Sequence, residues 1–121
     1  MRLEGKVALI SGGARGMGAE EARMFAREGA KVVIGDVLEE EGRRTEAEIN
    51  ETGGECVFTP LDVTDEAQWN NAISEAVARF GKLDILVNNA GITSGRTTVE
   101  DTTEELWDRV MDVNAKGVFL G

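Results

Sequence analysis

A glycine-rich segment directly follows the first apolar run of this chain, and no other feature limits the possible folds as strongly. The apolar residues at 7–10 lead into SGGARGMG at 11–18, and a helical pattern follows. Glycines at 12, 16 and 18 allow a tight turn, let backbone N–H groups approach a phosphate, and let the helix pack close to the strand. A helix that begins near Gly16 also directs its positive end at phosphate. The segment therefore predicts a phosphate-binding unit of strand, loop and helix.

An acidic residue, Asp36, ends the second apolar run. Asp36 would lie on the strand next to the glycine loop, so its carboxylate is placed to accept hydrogen bonds from the hydroxyls of an adenosine ribose. Loop and acid together predict a site for an adenine dinucleotide. The glycines are spaced GxxxGxG rather than GxGxxG and no GK[ST] follows, which excludes a P-loop and fits the long-chain dehydrogenase pattern poorly.

Strand and helix patterns alternate along the chain without repeats, which is typical of a parallel sheet wrapped by helices. Short apolar runs, of the kind buried on both faces, predict strands at 6–11, 31–36, 55–61 and 83–88. Helices are predicted at about 16–28, from 39 to near 53, up to a cap at 81, and from a capping box at 102–105 to the last residues. The predicted fold is α/β, a three-layer Rossmann-like parallel sheet with strand order 3-2-1-4.

The third helix carries the clearest apolar stripe, which predicts a core position and no cofactor role. Its members are Trp69, Ala72, Ile73, Ala76, Val77 and Phe80. The single cysteine, Cys56, has no partner within the chain and is predicted to be a half-buried strand residue.

The charge of the chain excludes several classes of partner. With a net charge of −10 at pH 7, the chain has no surplus of Lys and Arg with which to contact phosphates. Neither nucleic acid nor an anionic membrane is therefore predicted as a partner. No apolar run approaches the ~18 residues of a membrane span and no signal-peptide pattern is present, so we expect a cytoplasmic location. No metal site is predicted.

Five ordered motifs give all 121 residues a resemblance to the short-chain dehydrogenase/reductase family. They are SGGARGMG at 11–18, Asp36, LDVT at 61–64, NNAG at 88–91 and DVNAKG at 112–117. Within the family, GGARGMGAEEAR and the NNAGI followed by Thr93 and Ser94 look most like NAD-dependent hydroxysteroid dehydrogenases of the 3α(20β) type. The resemblance implies NAD(H)-linked oxidation of a secondary alcohol or reduction of a ketone. It also implies a homo-oligomer, because family members commonly pair through the helix that follows NNAG and the helix after it.

The resemblance further implies which residues contact the cofactor. The glycine loop would hold the pyrophosphate, and the acid that ends strand two would bind the ribose. LDVT would flank the adenine, and NNAG would line the cofactor at the end of strand four. The implied cofactor-binding residues are Ser11, Gly12, Arg15, Gly16, Met17, Gly18, Asp36, Asp62, Val63, Asn89, Ala90 and Gly91. On the residues alone, Asp62 also fits a turn or helix-cap aspartate. Asn88 and Asn89 also fit a turn with left-handed geometry.

Asn114 resembles the catalytic asparagine of the family, which lies at a distortion of the fourth helix and assists a lysine and its proton-relay water. Gly117 favours an irregular helix there, because an interior glycine costs about 1 kcal/mol relative to alanine. The alternative is an exposed asparagine on an ordinary helix.

Two residues bear on the choice between NAD and NADP. A 2′-phosphate about 4 Å from Asp36 would be repelled by roughly 4 kcal/mol at an effective dielectric constant of about 20. Arg15 opposes this, because a basic residue at that place in the family's loop can favour NADP. We expect the repulsion to dominate, which predicts NAD as the cofactor.

The chain has no tyrosine and no histidine, so the tyrosine-x-x-x-lysine pair of the family does not occur in it. The apolar residues at 118–121 indicate a chain cut within the fourth helix of a larger design. Residues 1–121 are therefore expected to be the N-terminal dinucleotide-binding portion, inactive alone because proton transfer to the substrate oxygen lacks its acid. The alternative is a free-standing, non-catalytic nucleotide-binding module.

Overall fold

The computed structural model describes residues 1–121 and contains one parallel sheet with helices between its strands. The strands are β1 (Val7–Ser11), β2 (Lys31–Asp36), β3 (Glu55–Pro60) and β4 (Ile85–Val87). The helices are α1 (Gly16–Arg27), α2 (Glu39–Glu51), α3 (Glu66–Phe80), α4 (Glu104–Met111) and α5 (Gly117–Leu120), with a π-helical turn at Asp112–Lys116 between the last two. All strand pairs are parallel and their order is β3-β2-β1-β4. The predicted α/β fold and its 3-2-1-4 order are confirmed.

Two apolar clusters cover the two faces of the sheet, which explains its three layers. One cluster joins alternate residues of β1 and β2 to α3 and contains Val7, Leu9, Val33, Leu61, Val63, Trp69, Ala72 and Ala76. The other joins the remaining strand residues to α1 and α2 and contains Ile10, Ala22, Ala30, Val32, Ile34, Ile49, Cys56 and Phe58. The continuous apolar runs of β1 and β2 follow from burial on both faces.

The fourth strand departs from the sequence prediction. It has three residues instead of the predicted span 83–88, and all three are half-buried. Because β4 pairs only with β1, it forms one edge of the sheet. Burial on both faces was therefore wrong for this strand.

Smaller departures concern single side chains. Val77 of the α3 stripe is 47% exposed and does not belong to the core. Cys56 is buried rather than half-buried, with 4% of its surface exposed. Burial raises the pKa of its thiol to about 12, and the charge of Glu46 adds to the effect.

The N-cap of the fourth helix lies one residue later than predicted, and the helix is not continuous. The hydroxyl of Thr103, not Thr102, accepts the hydrogen bond from Leu106 N at 3.1 Å. The Thr102 hydroxyl instead donates to Thr98 O at 2.7 Å. The π-helical turn that separates α4 from α5 contains Asn114, so the predicted helix distortion at this residue is present. No helix of the structure combines the length and apolar character that a membrane span requires.

Candidate cofactor site

A cavity of about 800 Å³ opens where the carboxyl ends of the strands meet α4. Nine of the predicted cofactor residues line it, namely Gly12, Arg15, Gly16, Asp36, Asp62, Val63, Asn89, Ala90 and Gly91. Ligands of open parallel sheets bind at this end, because the loops that follow successive strands converge there. The fold thus brings together residues that are up to 79 positions apart in the chain, from Gly12 to Gly91.

The glycine loop is held by the backbone of β2. Gly12 N and Gly13 N both donate to Gly35 O, at 2.8 and 3.2 Å. Gly12 has a φ of +69°, and a Cβ there would lie 2.9 Å from Ala90 Cα. A side chain at this position is therefore excluded both by the backbone conformation and by the close approach of the strand-four loop. A Cβ on Gly18 would likewise collide with Gly12 O.

The start of α1 fits a bound pyrophosphate. Its N-cap residue, Arg15, has an extended backbone and supplies no capping side chain, and the first turn contains no acidic residue. The first N–H groups of the helix thus lack a side-chain acceptor, which is the condition under which a helix start binds an anion. A Cβ on Gly16 would meet no atom within 4 Å, so space is open in front of this turn.

Three predicted loop residues do not line the cavity. Ser11 is 1% exposed, and its hydroxyl accepts hydrogen bonds from Asn89 N and Ala90 N at 3.1 and 3.0 Å. In the structure its side chain therefore shapes the start of the NNAG segment. The Met17 side chain is 72% exposed, and Gly18 is buried under the loop.

Asp36 connects the glycine loop with the end of β2. Its Oδ2 accepts a hydrogen bond from Ala14 N and its Oδ1 accepts one from Leu38 N, both at 3.1 Å. Each carboxylate oxygen has capacity for a second acceptor bond. The carboxylate is thus oriented by the backbone on both sides and can still receive the two hydroxyls of a ribose.

The segment after β4 approaches the loop through Asn89. Its side-chain amide donates to Ser11 O at 3.1 Å and to Gly12 O at 3.2 Å. Neither Asn88 nor Asn89 has a positive φ, so the left-handed turn considered for them is wrong.

Asp62 and Val63 form the wall on the side of β3. The carboxylate of Asp62 accepts hydrogen bonds from the N–H and hydroxyl of Thr64, at 3.0 and 2.7 Å. Asp62 is therefore a turn aspartate that also lines the cavity, and the N-cap of α3 is Asp65 instead. Val63 O accepts the indole N–H of Trp69 at 2.9 Å, which fixes this peptide.

Asn114 does not line the cavity but holds the segment that does. Its side-chain amide donates to Ile92 O at 2.7 Å and accepts from Ile92 N at 2.8 Å. The residue is exposed, as in the alternative reading, yet both ends of its amide are paired with one backbone residue. After the π-helical turn, Gly117 lies close to the opposite wall, and a Cβ there would lie 2.6 Å from Val63 Cγ2.

Sequence reasoning missed the charged face of α4. Glu105, Asp108 and Arg109 of α4 line the cavity, and so does Asp112, the first residue of the π-helical turn. Their spacing of three and four residues places them on one side of a helix, which was the available signal. Which side faces the cavity depends on how α4 packs, and the spacing does not contain that information.

The comparisons with known proteins identify the family of the chain. The model of the short chain dehydrogenase family matches residues 6–121. The chain belongs to this family. It is 53% identical over 120 residues to a 3-alpha-(or 20-beta)-hydroxysteroid dehydrogenase of Mycobacterium tuberculosis, over 99% of this chain and 45% of that protein. It is 52% identical over 120 residues to a 2,5-dichloro-2,5-cyclohexadiene-1,4-diol dehydrogenase of Sphingobium indicum, over 99% of this chain and 48% of that protein.

A solved structure of the family is also similar. The crystal structure of a 3-ketoacyl-(acyl-carrier-protein) reductase from Brucella melitensis, complexed with NADH, gives a TM-score of 0.92 at 43% identity. The match covers 98% of this chain and 48% of that chain. The chain spans about half the length of the curated relatives it matches. The family resemblance of the motifs, including the likeness to the 3α(20β) type, is confirmed.

Proposed function

We propose that residues 1–121 are the NAD-binding portion of an oxidoreductase that interconverts a secondary alcohol and its ketone, with hydroxysteroids as one substrate class. The observation that carries the proposal is the placement of Asp36 between the glycine loop and the cavity, with Ala14 N on its Oδ2 at 3.1 Å. Family membership and the names of the relatives support an alcohol or ketone substrate. The longer protein proposed to contain this chain is called the intact protein below.

Each part of the site has a distinct task in this proposal. The nicotinamide cofactor supplies hydride transfer when it is bound. The first N–H groups of α1 and the loop glycines bind the pyrophosphate, and Asp36 accepts the hydroxyls of the adenosine ribose. Asp62 and Val63 flank the adenine, while Asn89 to Gly91 form the wall at the end of β4. Asn114 is the proposed catalytic residue of this chain, carried over from the family.

The proposal assigns no substrate proton transfer to residues 1–121. General acid catalysis needs a group of suitable pKa near the substrate oxygen, and this chain contains neither tyrosine nor histidine. The same observation favours the second candidate, a nucleotide-binding module without catalysis.

One assay separates these candidates. The intact protein is mixed with NAD and a panel of cyclic secondary alcohols and hydroxysteroids, and NADH formation is followed by absorbance. We expect turnover by the intact protein and none by the purified 121-residue chain. Dinucleotide binding without turnover of any alcohol or ketone would favour the module. Steady turnover by residues 1–121 alone would contradict the proposal that the proton-transferring acid lies outside this chain.

Assembly and location belong to the same proposal. A homo-oligomer is proposed from the family to which the chain belongs. Light scattering of the intact protein tests this, and a monomer at micromolar concentration would contradict it. A cytoplasmic location is supported by the one cysteine, which is a free thiol.

A further inference from the structure

Thr45 is a buried polar residue of α2 whose side chain reaches the glycine loop. It is 3% exposed, and its hydroxyl donates a hydrogen bond to Ala14 O at 2.8 Å. A buried hydroxyl is retained where it has a partner, because burial without one costs free energy. Here the partner is a loop carbonyl 31 residues earlier in the chain.

The peptide groups around Ala14 are therefore held on both sides by side chains of the second strand–helix unit. Ala14 O accepts from Thr45, and Ala14 N donates to Asp36 Oδ2 at 3.1 Å. Ala14 itself is 2% exposed, so water does not replace either partner. Arg15, the next residue, is the N-cap of α1, and its backbone direction sets where the first helical N–H groups point.

This chain of contacts links the pyrophosphate part of the site to the ribose part. If the Thr45 hydroxyl is removed, Ala14 O loses its partner and the flanking peptides can rotate. Ala14 N then no longer stays in line with Asp36, and the carboxylate retains only Leu38 N as a backbone donor. The change weakens the binding of NAD, which uses the oriented carboxylate. It does not weaken the binding of NADP, whose 2′-phosphate the carboxylate repels.

We propose that Thr45 is a positioning residue that fixes the glycine loop and the Asp36 carboxylate for NAD through the backbone of Ala14. The proposal rests on the proposed function, because it assumes that Asp36 receives the ribose hydroxyls. Thr45 does not line the cavity and contacts the ligand only through these neighbours.

The test is dinucleotide binding to variants of the intact protein. Thr45→Val removes the hydroxyl with little change in shape, and Thr45→Ser retains it. Thr52→Val is the matched control, because the Thr52 hydroxyl also donates to a backbone carbonyl, Ile49 O at 2.9 Å, at the other end of the same helix. The Kd values for NADH and NADPH are measured by fluorescence titration, and urea unfolding checks that each variant is folded.

We expect Thr45→Val to raise the Kd for NADH about fivefold, the effect of one hydrogen bond, and to reduce the preference for NADH over NADPH by a similar factor. Thr45→Ser and Thr52→Val should keep both values within about twofold. If Thr45→Val does not fold, Thr45→Cys replaces it with the same direction of change, because its thiol is a weaker donor.

Equal Kd values and an equal preference in Thr45→Val and the unchanged protein would overturn the role of Thr45 and leave the proposed function intact. A proportional rise for NADH and NADPH would also overturn it, since that result indicates a structural role only. Absence of dinucleotide binding in the unchanged protein would instead refute the proposed function.

Discussion

The carboxylate of Asp36 should decide between NAD and NADP, and Asp36→Asn removes its charge. The amide keeps one oxygen, so it can still accept a hydrogen bond from one of the two backbone donors, Ala14 N or Leu38 N. The lost second bond lowers stability by about 1 kcal/mol. The amide also offers the ribose of NADH one acceptor oxygen instead of two, so the ratio of the two affinities reports the charge and the ribose hydrogen bonds together.

The size of the effect follows from the exposure of the site. At about 4 Å, one unit of negative charge on a 2′-phosphate is repelled by ~1 kcal/mol in bulk water and by ~4 kcal/mol at an effective dielectric constant of about 20. Asp36 is half-buried and lines an open cavity, so the repulsion lies between these limits and decreases with salt. Since about 1.4 kcal/mol is a factor of ten, the expected preference for NAD is between about fivefold and about a thousandfold.

The assay is titration of the intact protein with NADH and NADPH at low and at high salt. We expect Asp36→Asn to abolish most of the preference, and Glu51→Gln, which changes the net charge equally at the far end of α2, to leave it unchanged. Arg15→Ala should increase the preference, because Arg15 lines the cavity as the opposing charge. Tighter binding of NADPH by the unchanged protein, or an unchanged ratio in Asp36→Asn, would refute the reasoning.

Three further predictions concern the supports of the site. Gly117→Ala should destabilise the intact protein by about 1–3 kcal/mol, because the new Cβ would lie 2.6 Å from Val63 Cγ2. Urea unfolding measures this, and a gain of stability would contradict the packing. Asn114→Ala removes both hydrogen bonds to Ile92 and should speed hydrogen exchange of the Ile92 amide about tenfold, whereas unchanged exchange would show that the bonds do not hold the segment. The raised pKa of Cys56, about 12 against 9.0 in the unfolded chain, contributes stability below pH 9 that is lost as pH rises toward 12. Urea unfolding from pH 7 to 10 should show this loss. The free energy of unfolding of Cys56→Ala should fall less steeply over the same range.

Much of the fold was predictable because apolar runs and turn residues carry it locally. The runs of β1 and β2 are continuous because both faces are buried, and the sequence shows this directly. The run at Ile85–Val87 looks the same, yet within residues 1–121 it pairs with β1 alone and is half-buried. Residue type reports the capacity for burial, whereas the strand's position in the sheet decides how much burial occurs. The helix cap was misplaced for a related reason, since adjacent threonines at 102 and 103 are equally capable caps.

Residues of the candidate site were predictable where the local backbone requires one residue type. Gly12 and Asp36 are examples, because a positive φ with a close contact requires glycine and a pair of N–H donors suits a carboxylate. Thr45 and Arg109 were not predictable in this way. Each lies on a helix whose orientation toward the loop or the cavity depends on tertiary packing, which the spacing of residues does not contain.

The glycine loop therefore owes its shape to the assembled sheet more than to its own sequence. Gly35 O receives two loop N–H groups, Asp36 and Thr45 hold Ala14, and the Asn89 amide donates to Ser11 O and Gly12 O from the other side. These partners lie on β2, α2 and the segment after β4, so the loop is complete only when β1 is paired on both edges. A peptide with the loop sequence alone lacks every one of these contacts and has no reason to present its N–H groups together. The phosphate binding proposed for this loop accordingly depends on the parallel sheet, with the glycines permitting the conformation that the neighbouring strands impose.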